Sequence, residues 1–160
     1  MKDRISRLAG SVFYIGFVPG APGTYGSMAA SAVVLALYLG GCRILPALLL
    51  STICLITLAG VWAAAEIGRR TGVDDPSYVV IDEVAGQLTT YLFLPLNVFT
   101  IVLGFAAFRL FDIWKPYPIR KLEALEGGVG VMADDLLAGI YGNVILQVIS
   151  YLVFNSGRGQ

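Results

Sequence analysis

Apolar residues gather in four tracts, residues 28 to 42, 44 to 66, 84 to 108 and 136 to 155, parted by short stretches rich in glycine, proline and charge. A helical span of a bilayer takes about 20 apolar residues, so the second and fourth tracts are long enough and the first is short. The third is interrupted at Pro95-Leu96-Asn97. Proline removes a helix hydrogen bond there and Asn97 suits a turn, which predicts a helical hairpin. A straight span would leave Asp82 and Asp112 on opposite faces of the bilayer, whereas a hairpin returns both to one face. A second turn, at Gly40-Gly41-Cys42-Arg43, joins the first two tracts, so that residues 19 to 27, 67 to 83 and 109 to 135 all meet on one side. The halves of the third tract, about 11 to 15 residues each, reach only roughly 16 to 22 Å, which suits a re-entrant pair better than two full spans.

Polar positions inside the tracts keep a helical period. Glu83, Gln87 and Thr90 recur at i, i+4 and i+7, on one face that is expected to point into a bundle. Asp135, Gly139, Gly142 and Asn143 form a second stripe, whose glycines are read as packing positions for a neighbouring helix. The expected architecture is all-α: a compact helical bundle, integral to the membrane, forming one domain over residues 1–160 with 1–10 and 156–160 flexible.

Composition agrees with a bilayer. Of 160 residues, 57% are hydrophobic and 14% charged, with a mean hydropathy of +0.77, well above what a soluble domain needs. Eleven basic residues balance eleven acidic ones without forming a basic tract, which argues against a nucleic-acid partner. Lys2, Arg4, Arg7, Arg69, Arg70, Arg109, Lys115, Arg120 and Lys121 fall on the side that carries the polar islands, with Arg43 and Arg158 opposite, which by the positive-inside tendency makes that side cytoplasmic. The apolar stretch from Leu8 to Val18 stops at Pro19 with no small-residue cleavage site close behind, so a cleaved signal peptide is not expected. Cys42, at a turn, and Cys54, inside a tract, have neither disulfide nor metal-ligand spacing and are read as packing residues. The chain has no histidine, which excludes phosphohistidine chemistry and a Ser-His-Asp triad.

Chemistry is therefore sought in the islands. Pro19-Gly20-Ala21-Pro22-Gly23-Thr24-Tyr25-Gly26-Ser27 leads into a helix; its glycines and hydroxyls suit a phosphate cradle of Thr24, Gly26 and Ser27, and the alternative is a turn with Ser27 as N-cap. Asp82 and Glu83 open an apolar helix, where the helix dipole favours negative charge. Two adjacent carboxylates beside hydrocarbon need more than capping, and a divalent cation such as Mg²⁺ supplies the reason. Asp75 and Asp74 stand nearby with weaker claims. Arg109, Lys115 and Arg120 flank Asp112 and suit phosphate oxygens, although Arg120 and Lys121 equally suit lipid headgroups beside Trp114 and Tyr117. Gly127-Gly128-Val129-Gly130-Val131-Met132-Ala133-Asp134-Asp135 reads as a second glycine-rich loop entering a helix, with N-capping the alternative role for Asp134 and with Glu123 and Glu126 merely solvated.

In order along the chain, the first island, Ile81-Asp82-Glu83 with Gly86, Phe111-Asp112-Ile113-Trp114-Lys115-Pro116, and Gly127 through Gly139 resemble the phosphatidylglycerophosphatase A family over roughly residues 10 to 150. The resemblance implies a bacterial inner-membrane lipid phosphatase, dependent on Mg²⁺, that takes the terminal phosphate from phosphatidylglycerophosphate on the cytoplasmic face. On that expectation Mg²⁺ is held by some of Asp82, Glu83, Asp112, Asp134 and Asp135, Lys115 and Arg109 offset phosphoryl charge, and a carboxylate acts as general base or nucleophile. Two other classes fit parts of the pattern. A cation- or proton-coupled transporter also buries carboxylates, but near the midplane, and a noncatalytic assembly subunit would use the Gly139 and Gly142 face without needing the acidic islands.

Overall fold

The computed structural model describes residues 2–156. They form α1 (Lys2–Gly10), a short 3-10 turn (Ile15–Phe17), α2 (Pro22–Leu39), α3 (Pro46–Thr71), α4 (Ile81–Thr90), α5 (Val98–Trp114), α6 (Ile119–Glu123) and α7 (Gly127–Ser156), with no strand among the described residues. Three stretches are long and apolar enough to cross a membrane: Pro22–Leu39, Pro46–Thr71 and Gly127–Leu152.

The first of these corrects the expectation of a short tract led by a loop. Helix α2 starts at Pro22, whose missing N–H and fixed φ suit a first helical position. Gly23 through Ser27 are already helical, and the Ser27 hydroxyl donates to the Gly23 carbonyl at 2.8 Å, so Ser27 caps nothing. The glycines are there because other groups press against them: Glu83 lies where a side chain on Gly23 would project, and Val80 lies against Gly26. The second glycine-rich island differs from expectation in the same way. Gly127–Gly130 form the first turn of α7, with Gly128 against the Val61 backbone and Gly130 against the Leu125 backbone. Asp134 and Asp135 consequently lie two turns inside the helix, and Asp134 is no N-cap.

The hairpin at the third tract is present. Helix α4 ends at Thr90, the chain reverses through residues 91–97, and the Asn97 side chain caps α5 by accepting from the Thr100 N–H at 2.9 Å. At 10 residues, α4 is about 15 Å long, too short to span. Carbonyls at and just past its end would be orphans in an apolar surrounding, but Asn143 of α7 donates to that of Thr90, at 3.0 Å, and to that of Leu92 in the reversal, at 2.7 Å.

Helix α4 is the buried centre of the bundle, packed on α7, α2 and α3. Its closest approach is to α7, where a side chain on Gly139 would strike the Gly86 carbonyl, and a Cβ on Gly86 would lie 2.5 Å from the carbonyl oxygen of Asp135. Gln87 and Thr90 are fully buried, as the i, i+4, i+7 stripe required. Apolar clusters flank this axis, one around Val34, Ile53, Leu88, Tyr91 and Ile101, another around Ile67, Val79, Ala85 and Met132. The outward faces of α3, α5 and α7 expose Leu55, Leu58, Phe99, Val102, Val144 and Val148, the surface expected of helices bathed in lipid. Cys42 and Cys54 are exposed too, so neither is the packing residue expected of it.

Residues 2–10 are the helix α1 instead of a loose terminus. The Val80 N–H donates to the Gly10 carbonyl at 2.8 Å, and Phe17 stacks on Tyr78 at 4.7 Å, so the N-terminal segment fastens the loop that enters α4. The other segment expected to be loose lies, beyond Ser156, outside the described residues.

Candidate active site

Four chain segments meet at one end of the bundle around an open cleft of about 410 Å³. The start of α2 contributes Ala21 to Thr24, the loop before α4 contributes Asp75 and Ser77, α4 contributes Asp82 and Glu83, and the end of α5 contributes Arg109, Asp112 and Lys115. Helix α7 closes the inner side. Carboxylate oxygens of Asp82, Glu83 and Asp135 all lie within 4.8 Å of one another.

Helix geometry explains the convergence. Asp82 and Glu83 sit in the first turn of α4 and diverge by about 100°, so that Asp82 faces α7 while Glu83 reaches across Gly23 toward α2. Asp112 and Arg109 share a face of α5 at i and i+3 and form an ion pair in which both side chains are mostly buried. The Arg109 guanidinium also donates to the Ser27 hydroxyl at 3.3 Å. Lys115 ends α5 in a left-handed conformation, φ 44° and ψ 59°. That turns its ammonium back over the cleft, where it donates to Asp134 and to Glu123, at 2.8 Å each.

The remaining polar atoms define the electrostatic problem. Asp82 Oδ1, Glu83 Oε2, Asp134 Oδ1 and Asp135 Oδ2 are buried without any hydrogen-bond partner. Buried carboxylate oxygens left unpaired are costly, and here they face each other as well. Desolvation, then the Glu83 and Asp135 charges, push the Asp82 carboxyl well above its usual range; desolvation likewise raises Glu83, against the pull of Arg109. Around Lys115, burial works against the charge, but the bonds to Asp134 and Glu123 outweigh it and hold the ammonium's pKa above the ordinary lysine value.

Of the residues singled out from sequence, Asp82, Glu83, Asp112, Lys115, Asp134 and Asp135 come together, with Thr24 and Arg109 at the same cleft. The three nearest one another are Asp82, Glu83 and Asp135, while Asp112 is tied to Arg109 and Asp134 to Lys115. Ser27 lies behind the wall and touches the site through Arg109. Gly26 packs on Val80 and does not line the cleft. Arg120 lines a separate depression next to it. Ser77, which sequence reasoning did not single out, and Asp75, given a weaker claim there, both line the cleft from the loop before α4. Glu123, read as merely solvated, is a partner of Lys115, and its distance of eight residues across the α5–α6 elbow leaves no periodic trace.

Acidic groups edged by arginine and lysine, at one end of a bundle with three helices apolar enough to cross a membrane, are the equipment that phosphate chemistry at a membrane calls for. Residues 8–150 match the family model described as phosphatidylglycerophosphatase A, and the chain belongs to that family and is a phosphatase. It is 43% identical over 91% of its length, and 94% of the other chain, to a protein of Bacteroides thetaiotaomicron named putative phosphatidylinositol-3-phosphatase. It is 38% identical to the phosphatidylglycerophosphatase A of Haemophilus influenzae, over 87% of this chain and 85% of that one. To the protein of the same name from Escherichia coli it is 36% identical, over 87% and 80%. No solved structure matches the chain.

Proposed function

We propose that this protein hydrolyses the terminal phosphate monoester of phosphatidylglycerophosphate, releasing inorganic phosphate and phosphatidylglycerol, with Mg²⁺ in the acidic cluster and the cleft open to the cytoplasmic side of a bacterial inner membrane. The observation that carries the reading is the trio of Asp82, Glu83 and Asp135, whose unpartnered buried oxygens face one another beside Arg109 and Lys115. Those all-oxygen donors fit a hard divalent cation, and Asp82, Glu83 and Asp135 are the residues that would hold it. A cation there would supply positive charge against the phosphoryl oxygens and would help the departing oxygen take up the charge it gains as the bond breaks.

The chain's own groups do the rest. Arg109 offers guanidinium donors from a partly buried position fixed by Asp112, and Lys115 adds a permanent positive charge at the cleft. Thr24 and the free N–H groups at the start of α2 can take further phosphate oxygens. With no histidine in the chain, a carboxylate of the cluster serves either as general base for an attacking water or as the nucleophile itself. The transporter alternative gains no support, since the carboxylates open onto a cleft at the bundle's end and the relatives are named as phosphatases.

Phosphatidylglycerophosphate and the phosphoinositide named for the Bacteroides relative share a design: a distal phosphate monoester on a headgroup joined to diacylglycerol by a phosphodiester. The decisive experiment offers both lipids to the purified protein in neutral detergent, with Mg²⁺ or with a chelator. Phosphate release from phosphatidylglycerophosphate that needs Mg²⁺ is the expected result. Absence of release removes the reading, and faster turnover of the phosphoinositide reassigns the substrate.

A further inference from the structure

Lys115 belongs to two depressions at once. One is the acidic cleft; the other, of about 490 Å³, lies on the α5–α6 elbow and is lined by Trp114, Lys115, Pro116, Tyr117, Arg120 and Lys121. The second has no acidic lining residue. Lys121 sits 5.0 Å from the centre of the Tyr117 ring and touches its hydroxyl, and among the described residues neither Arg120 nor Lys121 pairs with a carboxylate. Trp114 and Tyr117 are largely exposed, at 63% and 73%, which places aromatic rings beside unpaired cations at the bundle's polar end. That combination suits the boundary between headgroups and acyl chains.

We infer that this elbow is the site for the phosphodiester of the substrate, with Arg120 and Lys121 as the residues that select a lipid carrying a second, non-scissile phosphate. The inference rests on the reading of the acidic cleft as the monoester site. A headgroup with a monoester at its tip and a diester at its root needs two anion sites side by side, of opposite design. The monoester site must carry carboxylates able to hold a cation, while the diester, which bears one charge and undergoes no chemistry, needs only direct positive charge. The two depressions divide in this way, and Lys115 marks their boundary. A guanidinium is suited to grip two diester oxygens, and the flanking rings hold the first carbons of the lipid at the same depth.

The test measures three constants in neutral detergent micelles free of other anionic lipid: KM for phosphatidylglycerophosphate, and inhibition constants for its product phosphatidylglycerol and for inorganic phosphate. Phosphatidylglycerol carries the diester alone, and inorganic phosphate stands for the monoester site. For Arg120→Ala and Arg120→Glu, KM and the phosphatidylglycerol constant should rise about tenfold, with Lys121→Ala weaker and Arg120→Lys intermediate, since an ammonium keeps the charge and loses the two-pronged grip. The inorganic phosphate constant should stay within about twofold, and it also reports an intact fold. The inference is overturned if the two inhibitors weaken together, if neither weakens, or if an effect appears only in anionic vesicles, which would mark a general surface contact. Failure of the parent protein to release phosphate at all would instead strike the proposed function.

Discussion

Asp135 is the residue on which the cluster closes, since it alone brings α7 to the carboxylates of α4. Asp135→Asn keeps the shape and removes the charge, so turnover should fall by about a thousandfold or more while helix content in circular dichroism stays as in the parent. The same crowding controls stability. Asp82 and Glu83 have raised folded-state pKa values, so the folded protein holds protons that the unfolded chain has already lost, and stability must fall as pH rises through that interval. Without added metal, the thermal midpoint in detergent should therefore be higher near pH 5 than near pH 8. Millimolar Mg²⁺, taking the protons' place, should raise the midpoint most at the higher pH. A midpoint that climbs with pH in the absence of metal would show that burial and the neighbouring charges do not hold protons on these carboxyls. That these acids converge was legible because carboxylates next to hydrocarbon have so few explanations. The division of labour among them was not, since pairing of Asp112 with Arg109 and of Asp134 with Lys115 depends on how the helices are rotated.

Among the elements, the contact of α4 with α7 is the one that sets the site. Gly139 meets the Gly86 backbone directly, and Gly139→Val would force the helices apart at a cost of about 1–3 kcal/mol. A lower thermal midpoint should be accompanied by a loss of activity larger than the loss of folded protein, because the displacement also separates Asp135 from Asp82. Loss of stability with full specific activity would mean that the site does not depend on this spacing. Sequence reasoning recovered the hairpin at Pro95–Asn97 and the inward stripe of Glu83, Gln87 and Thr90, both of which follow from local rules. It misread two glycine-rich runs as loops. Glycine signals either a turn or a close approach of another chain segment, and only the partner, Val80 for Gly26 or Val61 for Gly128, tells which.

For the whole molecule, the proposed orientation has a direct reporter in Cys42. It is exposed in the turn between α2 and α3, at the end of both helices away from the cleft, whereas Cys54 is exposed within α3, about two turns in from Pro46. In intact cells with a permeable outer membrane, a membrane-impermeant maleimide should label Cys42 from outside, and Cys54, facing lipid, should not react. Labelling of Cys42 only in inverted vesicles would put the cleft on the outer side and reverse the assignment made from arginine and lysine placement. The second and fourth tracts were readable as spans from hydropathy, whereas the first was read as short, because its added length was hidden in glycines that composition assigns to loops.

Gly86 presses on the backbone of Asp135 with no side chain between them, and the residues just before and at that contact carry the oxygens proposed to grip the ion. The gap between the two helices is thus a gauge made of main chain, which cannot shrink and has nothing soft in it to yield. If the proposed ion binds there, a gauge of that kind would set the radius the centre accepts, and a single methyl group added at Gly86 would widen it.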